Sequence, residues 1–173
     1  MTPEFIRELR RHIGHARLWL PGCTAMVLRG GAADPELLIV RRADTGAWTP
    51  VTGIVDPGEE PDRTAERETL EETGLAVRAT ALLAVRTVGP VTYPNGDEAL
   101  YLDHCLLADP ADPAAEPHPA DGENTAARWC PVDRLPPMAP RFGEFLDLAL
   151  DRRAADAAGR TGPGVIFGGG RRR

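Results

Sequence analysis

The chain has 173 residues, 42% of them hydrophobic, and carries a formal charge of −6 from 26 acidic and 20 basic residues. This length and core content are typical of one domain with short extensions, and the acidity argues against a broad nucleic-acid surface. Because the sequence contains no lysine, serine or glutamine, serine nucleophiles, P-loop lysines and Schiff bases are excluded, which leaves carboxylates, arginines and a metal.

The N-terminal segment is charged throughout and lacks the apolar stretch of a signal peptide. No apolar run approaches the roughly 20 residues that a membrane span needs, so we expect a cytoplasmic protein without a membrane partner. Apolar side chains recur at helical spacing at Phe5, Ile6, Leu9 and Ile13. They predict a short helix that Gly14 ends, and residues 1–20 are assigned to an N-terminal helical extension.

Strand-like segments follow this extension. Residues 24–28 and 37–40 are apolar stretches on either side of a Gly-rich segment, which predicts a hairpin. A short strand broken by Gly53 is expected over residues 51–55.

The pattern then turns helical over residues 61–73. Pro61 suits the first helical position, where its missing N–H costs nothing, and Gly74 suits the end of the helix. Residues 79–88 and 99–107 are predicted strands, because they flank an Asn-Gly turn signal at Asn95.

The last third of the chain is more irregular. Residues 109–122 are rich in Pro, Ala and Asp and predict a loop or local linker. A strand is expected over 126–130, and apolar residues between Phe142 and Leu150 indicate a closing helix. The periodicity is then lost, so residues 21–152 are assigned to the main domain and 153–173 to a flexible C-terminal tail.

The three cysteines, Cys23, Cys105 and Cys130, are far apart and lack metal-ligand spacing. We expect reduced, partly buried thiols rather than disulfides or a zinc site.

Acidic residues concentrate on one side of the predicted helix 61–73. At about 100° per residue, Glu68 and Glu72 differ by about 40° around the axis, and Glu71 lies about 60° to the other side of Glu68. The three carboxylates therefore share one sector of about 100°. Small residues that can pack closely against a sheet occupy a neighbouring face: Ala65, Thr69 and Thr73.

This cluster has two interpretations. An acidic helix face is often only a solvated surface, although like charges at this spacing repel. A hard divalent cation would relieve the repulsion, because Mg²⁺ is held by one or two carboxylates together with water and substrate phosphates. A cation bound there would activate water, neutralise charge and orient a diphosphate. The carboxylates alone do not decide between the two.

The residues around the glutamates resemble the Nudix box, G-x5-E-x7-R-E-U-x-E-E-x-G-U, where U is aliphatic. The resemblance covers residues 53–75, and all seven fixed positions are matched: Gly53, Glu59, Arg67, Glu68, Glu71, Glu72 and Gly74. A chance match is on the order of one in 10⁸ per starting position. One aliphatic position holds Thr69, a departure that we expect to matter little for metal binding.

The resemblance implies an α/β fold, a Nudix-type α/β/α sandwich with a mixed β-sheet and a catalytic loop–helix–loop. It also implies Mg²⁺, for which Mn²⁺ can substitute. Glu71 and Glu72 would be metal ligands, and Glu68 a ligand or the base that activates water. Arg67 and Glu59 would form an ion pair that braces the loop against the helix, while Gly53 and Gly74 support the turns.

Two further site residues follow from the resemblance with less support. The family often has a glycine before the box whose carbonyl reaches the metal, and this chain has Thr52 there. The family also often uses a later glutamate in catalysis. Glu123 is the candidate, because it precedes the last predicted strand by a few residues, although an ordinary loop acid would look the same.

Substrate recognition is less specific in the sequence. Trp48 and Tyr93 could stack on a base, and Arg41 and Arg42 could meet phosphate, but residues of each type are more often ordinary packing or surface residues. In the family, a proline some 15 residues past the box accompanies ADP-ribose and a slightly later tyrosine accompanies dinucleoside polyphosphates. Pro90 and Tyr93 satisfy both patterns, so neither decides.

The resulting hypothesis is a Mg²⁺-dependent pyrophosphohydrolase that uses metal-activated water on a nucleoside diphosphate derivative. Candidate substrates are (d)NTPs, ADP-ribose and nucleotide sugars. We expect a small-molecule nucleotide as substrate and no nucleic-acid partner, while a homodimer stays open. The alternatives are a catalytically silent nucleotide-binding sensor and an RNA 5′-end pyrophosphohydrolase.

Overall fold

The structure, a computed structural model, describes residues 3–93, 95–162 and 164–167. Three helices, a short 3₁₀ turn and eight strands follow one another along these residues. In chain order they are α1 (Glu4–Ile13), β1 (Leu18–Arg29), β2 (Glu36–Arg42), β3 (Trp48–Thr49), β4 (Val51–Ile54), α2 (Pro61–Thr73), β5 (Val77–Thr92), β6 (Glu98–Pro110), β7 (Asn124–Pro131), the 3₁₀ turn (Val132–Arg134), α3 (Pro140–Ala157) and β8 (Ile166–Phe167).

The strands form one mixed sheet with the order β3-β2-β1-β6-β5-β8, in which β4 also pairs with β1 and β7 with β2. The long strand β1 organises it, because it pairs parallel to β6 along ten residues and antiparallel to β4 and β2. The expected hairpin of β1 and β2 is confirmed, with Leu28 opposite Leu37. The predicted pairing of β5 and β6 across the Asn-Gly turn is also confirmed.

Side chains of β1 alternate between two cores, one on each face of the sheet. Met26 packs with Phe142 and Phe145 of α3, whereas Val27 packs with Ala65 of α2. Because successive side chains of a strand point to opposite faces, α2 and α3 must cover opposite faces of the sheet. The fold is therefore the α/β/α sandwich that the sequence resemblance implied.

The predicted helix ends are confirmed. Helix α1 stops before Gly14 and α2 before Gly74, and both glycines have positive φ, +58° and +71°. The expected interruption of the strand at Gly53 is wrong, because β4 runs through this residue without a break. Gly53 lies opposite Cys23 of β1, and the pairing of these strands holds the residue in the sheet.

The two ends of the chain are more structured than the sequence indicates. Strand β1 begins at Leu18, and Ile6 of α1 packs against Leu20 and Ala99, so the N-terminal extension is part of the fold. At the other end α3 continues to Ala157, past the residue at which the sequence predicts a tail. Strand β8 pairs with β5, and residues 168–173 lie outside the described residues.

The linker-like segment 109–122 is fastened to the domain by its backbone. The N–H groups of His118 and Ala120 donate to the last carbonyls of α2, on Thr73 and Glu72, at 3.0 and 3.1 Å. The indole N–H of Trp129 donates to the carbonyl of Ala115 at 3.0 Å. These bonds satisfy carbonyls that a helix end leaves without partners, so the segment acts as a clasp on α2.

Burial of the thiols agrees with the sequence expectation. All three cysteines are buried and unpaired, and none forms a disulfide. Within the described ranges, no helix is both long and apolar enough to cross a membrane.

Candidate active site

Helix α2 presents the three glutamates of the predicted acidic face, Glu68, Glu71 and Glu72, in different environments. Glu72 is only 3% exposed, whereas the side chain of Glu71 is 53% exposed. Glu68 lies between these extremes, and burial raises the pKa of its carboxyl above the ordinary value despite the nearby guanidinium of Arg67. The helix therefore carries one solvated and two desolvated carboxylates on the same side.

Arg67 connects the loop before α2 to the helix. Its guanidinium donates two hydrogen bonds to the Glu59 carboxylate, at 2.9 and 2.8 Å, in the bidentate geometry that arginine favours. It also donates to Glu68 at 2.9 Å and to Glu71 at 3.2 Å. These bonds to Arg67, together with the hydroxyl of Thr64, lower the pKa of Glu59 to about 2. The arginine thus fixes the loop and two of the helix glutamates with one planar group.

Gly53 makes room for Glu68. A Cβ on residue 53 would overlap the Cγ and carboxyl carbon of Glu68, so a side chain there would force the Glu68 carboxylate out of this position. Because β4 is held by β1, the Glu68 carboxylate sits against a rigid strand rather than a loop. Sheet pairing on one side and Arg67 on the other therefore position this glutamate.

Glu72 has a partner that the sequence did not reveal. The Nδ2 of Asn124, the first residue of β7, donates to Glu72 Oε2 at 2.9 Å. Burial first, and then the nearby charge of Glu68, raise the pKa of Glu72 to about 8, and the hydrogen bond from Asn124 opposes this shift. The sequence contains no signal for Asn124 apart from its position beside Glu123.

The face of α2 that meets the sheet is made of small residues, as predicted. Thr69 and Thr73 are fully buried, and their hydroxyls donate to the carbonyls of Ala65 and Thr69, at 2.7 and 2.6 Å. A threonine at an aliphatic position of the box is therefore accommodated, because its hydroxyl is satisfied four residues back along the helix.

Of the four predicted substrate-binding residues, Arg42 lies near Glu72, and Tyr93 lies near Arg42. Arg42 is within electrostatic range of both Glu72 and Tyr93. Its guanidinium is held by the carboxylate of Asp44 through two bonds of 2.9 Å, and these bonds raise the pKa of Arg42. The hydroxyl of Tyr93 is hydrogen-bonded to that of Tyr101.

The other two predicted residues are placed differently. Trp48 packs against the core on the α3 side of the sheet, and the guanidinium of Arg128 lies 4.5 Å from its ring centre. Arg41 is exposed and donates to the carbonyl of Gly46 at 3.3 Å. Within the described part of the chain, neither has a hydrogen bond or ion pair with the box glutamates.

Thr52 and Glu123, the two further predicted site residues, lie outside helix α2 in the sequence. Thr52 lies in β4, next to Gly53 and opposite Thr24 of β1. Glu123 immediately precedes β7, and its carbonyl accepts a hydrogen bond of 2.8 Å from the N–H of Ala43. The side chain of its neighbour Asn124 bonds to Glu72.

The donor set fits a hard divalent cation. Glu68 and Glu72 are carboxylates that burial and mutual repulsion make costly to ionise, and a bound cation would supply the opposite charge. Among the described residues, no group of three or more acidic, histidine or cysteine side chains is arranged to hold a metal ion by itself, so water and substrate phosphates would have to complete the coordination. An open arrangement suits Mg²⁺, which takes few protein ligands and keeps places for water and phosphate.

Comparison with known proteins supports the interpretation of the box. The sequence model of the NUDIX domain matches residues 20–149. The chain is 29% identical over 132 residues to a MutT-like protein of Streptomyces ambofaciens, covering 76% of this chain and 74% of that protein. It is 30% identical over 125 residues to the NAD-capped RNA hydrolase NudC of Deinococcus radiodurans, covering 70% of this chain but only 41% of the relative.

The fold has close counterparts among solved structures. An ADP-ribose pyrophosphatase from Streptococcus suis superimposes with a TM-score of 0.62 at 21% identity, covering 86% of this chain and 98% of that one. At this identity the likeness shows a shared fold and does not bear on the substrate.

Proposed function

Since the chain belongs to the Nudix family of hydrolases that act on diphosphate bonds, we propose that it cleaves a nucleoside diphosphate derivative with the help of Mg²⁺. Water would attack one phosphorus of the diphosphate. The products would be a nucleoside monophosphate and a second phosphorylated compound.

One observation carries this proposal: three glutamates lie on one side of α2, two of them are withdrawn from water, and the more buried one, Glu72, has no ion pair with a cationic side chain among the described residues. Glu72 is 3% exposed and its direct partner is a neutral amide. A buried carboxylate is normally paired with a charge or a metal. A divalent cation with a diphosphate ligand would supply the missing charge.

Each site residue would have its own role in metal binding, catalysis or positioning. Glu71 and Glu72 would hold the cation, with Glu68 as a further ligand or as the base for the attacking water, and Thr52 would offer its backbone carbonyl. Glu123 would act as a later catalytic glutamate beside them. When bound, the cation lowers the pKa of water and neutralises charge on the diphosphate oxygens. Glu59, Arg67, Gly53 and Gly74 would keep the glutamates in place.

Arg42 and Tyr93 are the preferred substrate-binding residues. Arg42 lies near Glu72, and Tyr93 lies near Arg42, so Arg42 could meet a phosphate and Tyr93 a base or ribose. We give Trp48 lower priority, because it packs in the core on the α3 side of the sheet. Arg41 also has lower priority, because it is exposed and its guanidinium donates to the carbonyl of Gly46.

The proposed substrates are (d)NTPs, ADP-ribose and nucleotide sugars. Mn²⁺ would be able to replace Mg²⁺. A capped or triphosphorylated RNA 5′ end is a second candidate, favoured by the 30% identity to an NAD-capped RNA hydrolase. A catalytically silent sensor is less favoured, because all the glutamates of the Nudix box are present. A cytoplasmic location is part of this proposal, and a homodimer is an open possibility.

The test is phosphate release from a substrate panel with Mg²⁺, coupled to a phosphatase. The panel holds the (d)NTPs, an oxidised dGTP, ADP-ribose, a nucleotide sugar, a dinucleoside polyphosphate, NAD and NAD-capped RNA. Turnover of one substrate class by the wild type, and its loss in Glu72→Gln, would support the proposal. The control is Glu60→Gln, an exposed glutamate just before α2, which should retain activity. Full activity of Glu72→Gln would overturn the metal-site assignment, and no turnover by a folded protein that binds Mg²⁺ would favour the sensor.

A further inference from the structure

The side chain of Asn124 is held between a strand and the most buried glutamate. It is 5% exposed, and its Nδ2 donates to Glu72 Oε2 at 2.9 Å. Its backbone lies opposite Arg42 of β2, at a bulge in the pairing of β2 and β7. The amide is therefore supplied by the sheet, across from the helix that carries the glutamates.

The oxygen of the same amide carries a cost in folding free energy. The Oδ1 of Asn124 is buried and has no hydrogen-bond partner among the described residues. Leaving a buried acceptor unpaired costs about 1–3 kcal/mol, and most buried polar groups in proteins avoid it. An apolar residue at the start of β7 would avoid this cost. The cost points to a role for the Nδ2 donor other than stability.

The amide is also the only side chain that hydrogen-bonds to the carboxylate of Glu72 among the described residues. Arg42 is close enough to influence Glu72, yet Asp44 holds its guanidinium with two hydrogen bonds. An arginine paired with Glu72 would cancel the charge that a cation needs. A neutral amide instead fixes one oxygen without placing a positive charge beside the carboxylate.

We propose that Asn124 is a positioning residue, which holds Oε2 of Glu72 so that Oε1 remains available to a divalent cation. This inference rests on the proposed function, because it takes Glu72 as a metal ligand. Partners that orient metal ligands in this way change metal affinity by about 10–100-fold when they are removed. The alternative is that the same hydrogen bond only ties β7 to α2.

Binding of Mn²⁺ alone, followed by electron paramagnetic resonance, separates these roles without relying on turnover. Asn124→Leu and Asn124→Ala remove the donor, and Thr125→Val is the matched control on the same strand. We expect about 10–100-fold weaker Mn²⁺ binding in the Asn124 variants and wild-type affinity in the control. Metal-free melting temperatures would stay close to that of the wild type. If Asn124→Leu does not fold, Asn124→Ala gives the measurement.

The result that overturns the proposal is Mn²⁺ affinity within twofold of wild type in an Asn124 variant whose melting temperature has fallen. Glu72→Gln separates this failure from failure of the proposed function. If Glu72→Gln weakens Mn²⁺ binding and the Asn124 variants do not, only the positioning role is wrong. If Glu72→Gln also binds normally, the metal-site assignment itself fails. In the double variant, the loss of affinity from the Asn124 change should largely disappear, because the group it positions is gone.

Discussion

The carboxylate of Glu68 occupies the space that any side chain on Gly53 would need. The two residues are far apart in the box, yet the packing of α2 on β4 makes them neighbours. The glycine is therefore required by the glutamate rather than by a turn, since it lies within a continuous strand.

Substituting Gly53→Ala should displace Glu68 and disturb its bond with Arg67. We expect kcat/KM to fall by about 100-fold, because small misplacements near reacting groups have effects of this size. Overpacking should also lower the free energy of unfolding by about 1–3 kcal/mol. Steady-state kinetics and urea unfolding would measure both. Gly143→Ala, in α3 with open space around it, should leave the kinetics unchanged and raise the free energy of unfolding by up to about 1 kcal/mol, because alanine favours a helix more than glycine does. Normal kinetics in Gly53→Ala would contradict the close approach of Glu68 to Gly53.

Glu72→Gln should separate activity from stability. Turnover should fall by more than 100-fold, which exceeds the usual effect of losing only a partner of a metal ligand. The metal-free protein should be at least as stable as wild type, because the variant removes a carboxylate that is buried next to Glu68. Thermal melting in a chelator checks the second point, and a large fall in melting temperature would argue that Glu72 is chiefly a structural residue.

The ion pair of Glu59 and Arg67 should make stability depend on acid pH. The pKa of Glu59 in the folded chain is about 2, below its ordinary value of 4.5. Its contribution is therefore present above about pH 4.5 and is lost as the pH falls toward 2. We expect Glu59→Gln to lower the free energy of unfolding by about 1–3 kcal/mol at neutral pH. Urea titrations at several pH values should show this difference shrinking below pH 4.5, whereas a constant difference would count against the pair.

The thiols should be unreactive in the native protein. Burial raises the pKa of Cys23 and Cys105, and the charge of Glu68 raises that of Cys23 further. We expect a thiol reagent at pH 8 to label fewer than one cysteine per native chain and all three after denaturation. Rapid labelling of one native thiol, with loss of activity, would show that the face near Glu68 opens readily.

The sequence predicted the parts of the site that depend on local spacing. Helix α2, its capping Gly74 and the shared face of Glu68 and Glu72 all follow from residues within one segment. The sandwich came from the resemblance of that segment to a known family. Apolar stretches bounded by turn residues placed most of the strands.

The parts that were missed depend on residues brought together by the sheet. Asn124 meets Glu72 across more than fifty residues of sequence, and no local pattern marks it. Trp48 was considered for base stacking, but the register of its strand places it in the core that packs against α3. A strand's register decides which face each side chain joins, and a shift of one residue reverses it.

The clasp formed by residues 109–122 has a practical consequence for anyone who engineers the protein. Its composition is that of a segment in which tags are inserted and proteases cut. Its backbone nevertheless closes the last turn of α2 at Glu72, through the N–H of Ala120. An insertion there would loosen the helix end that bears the most buried glutamate, so fusion sites belong elsewhere on the surface.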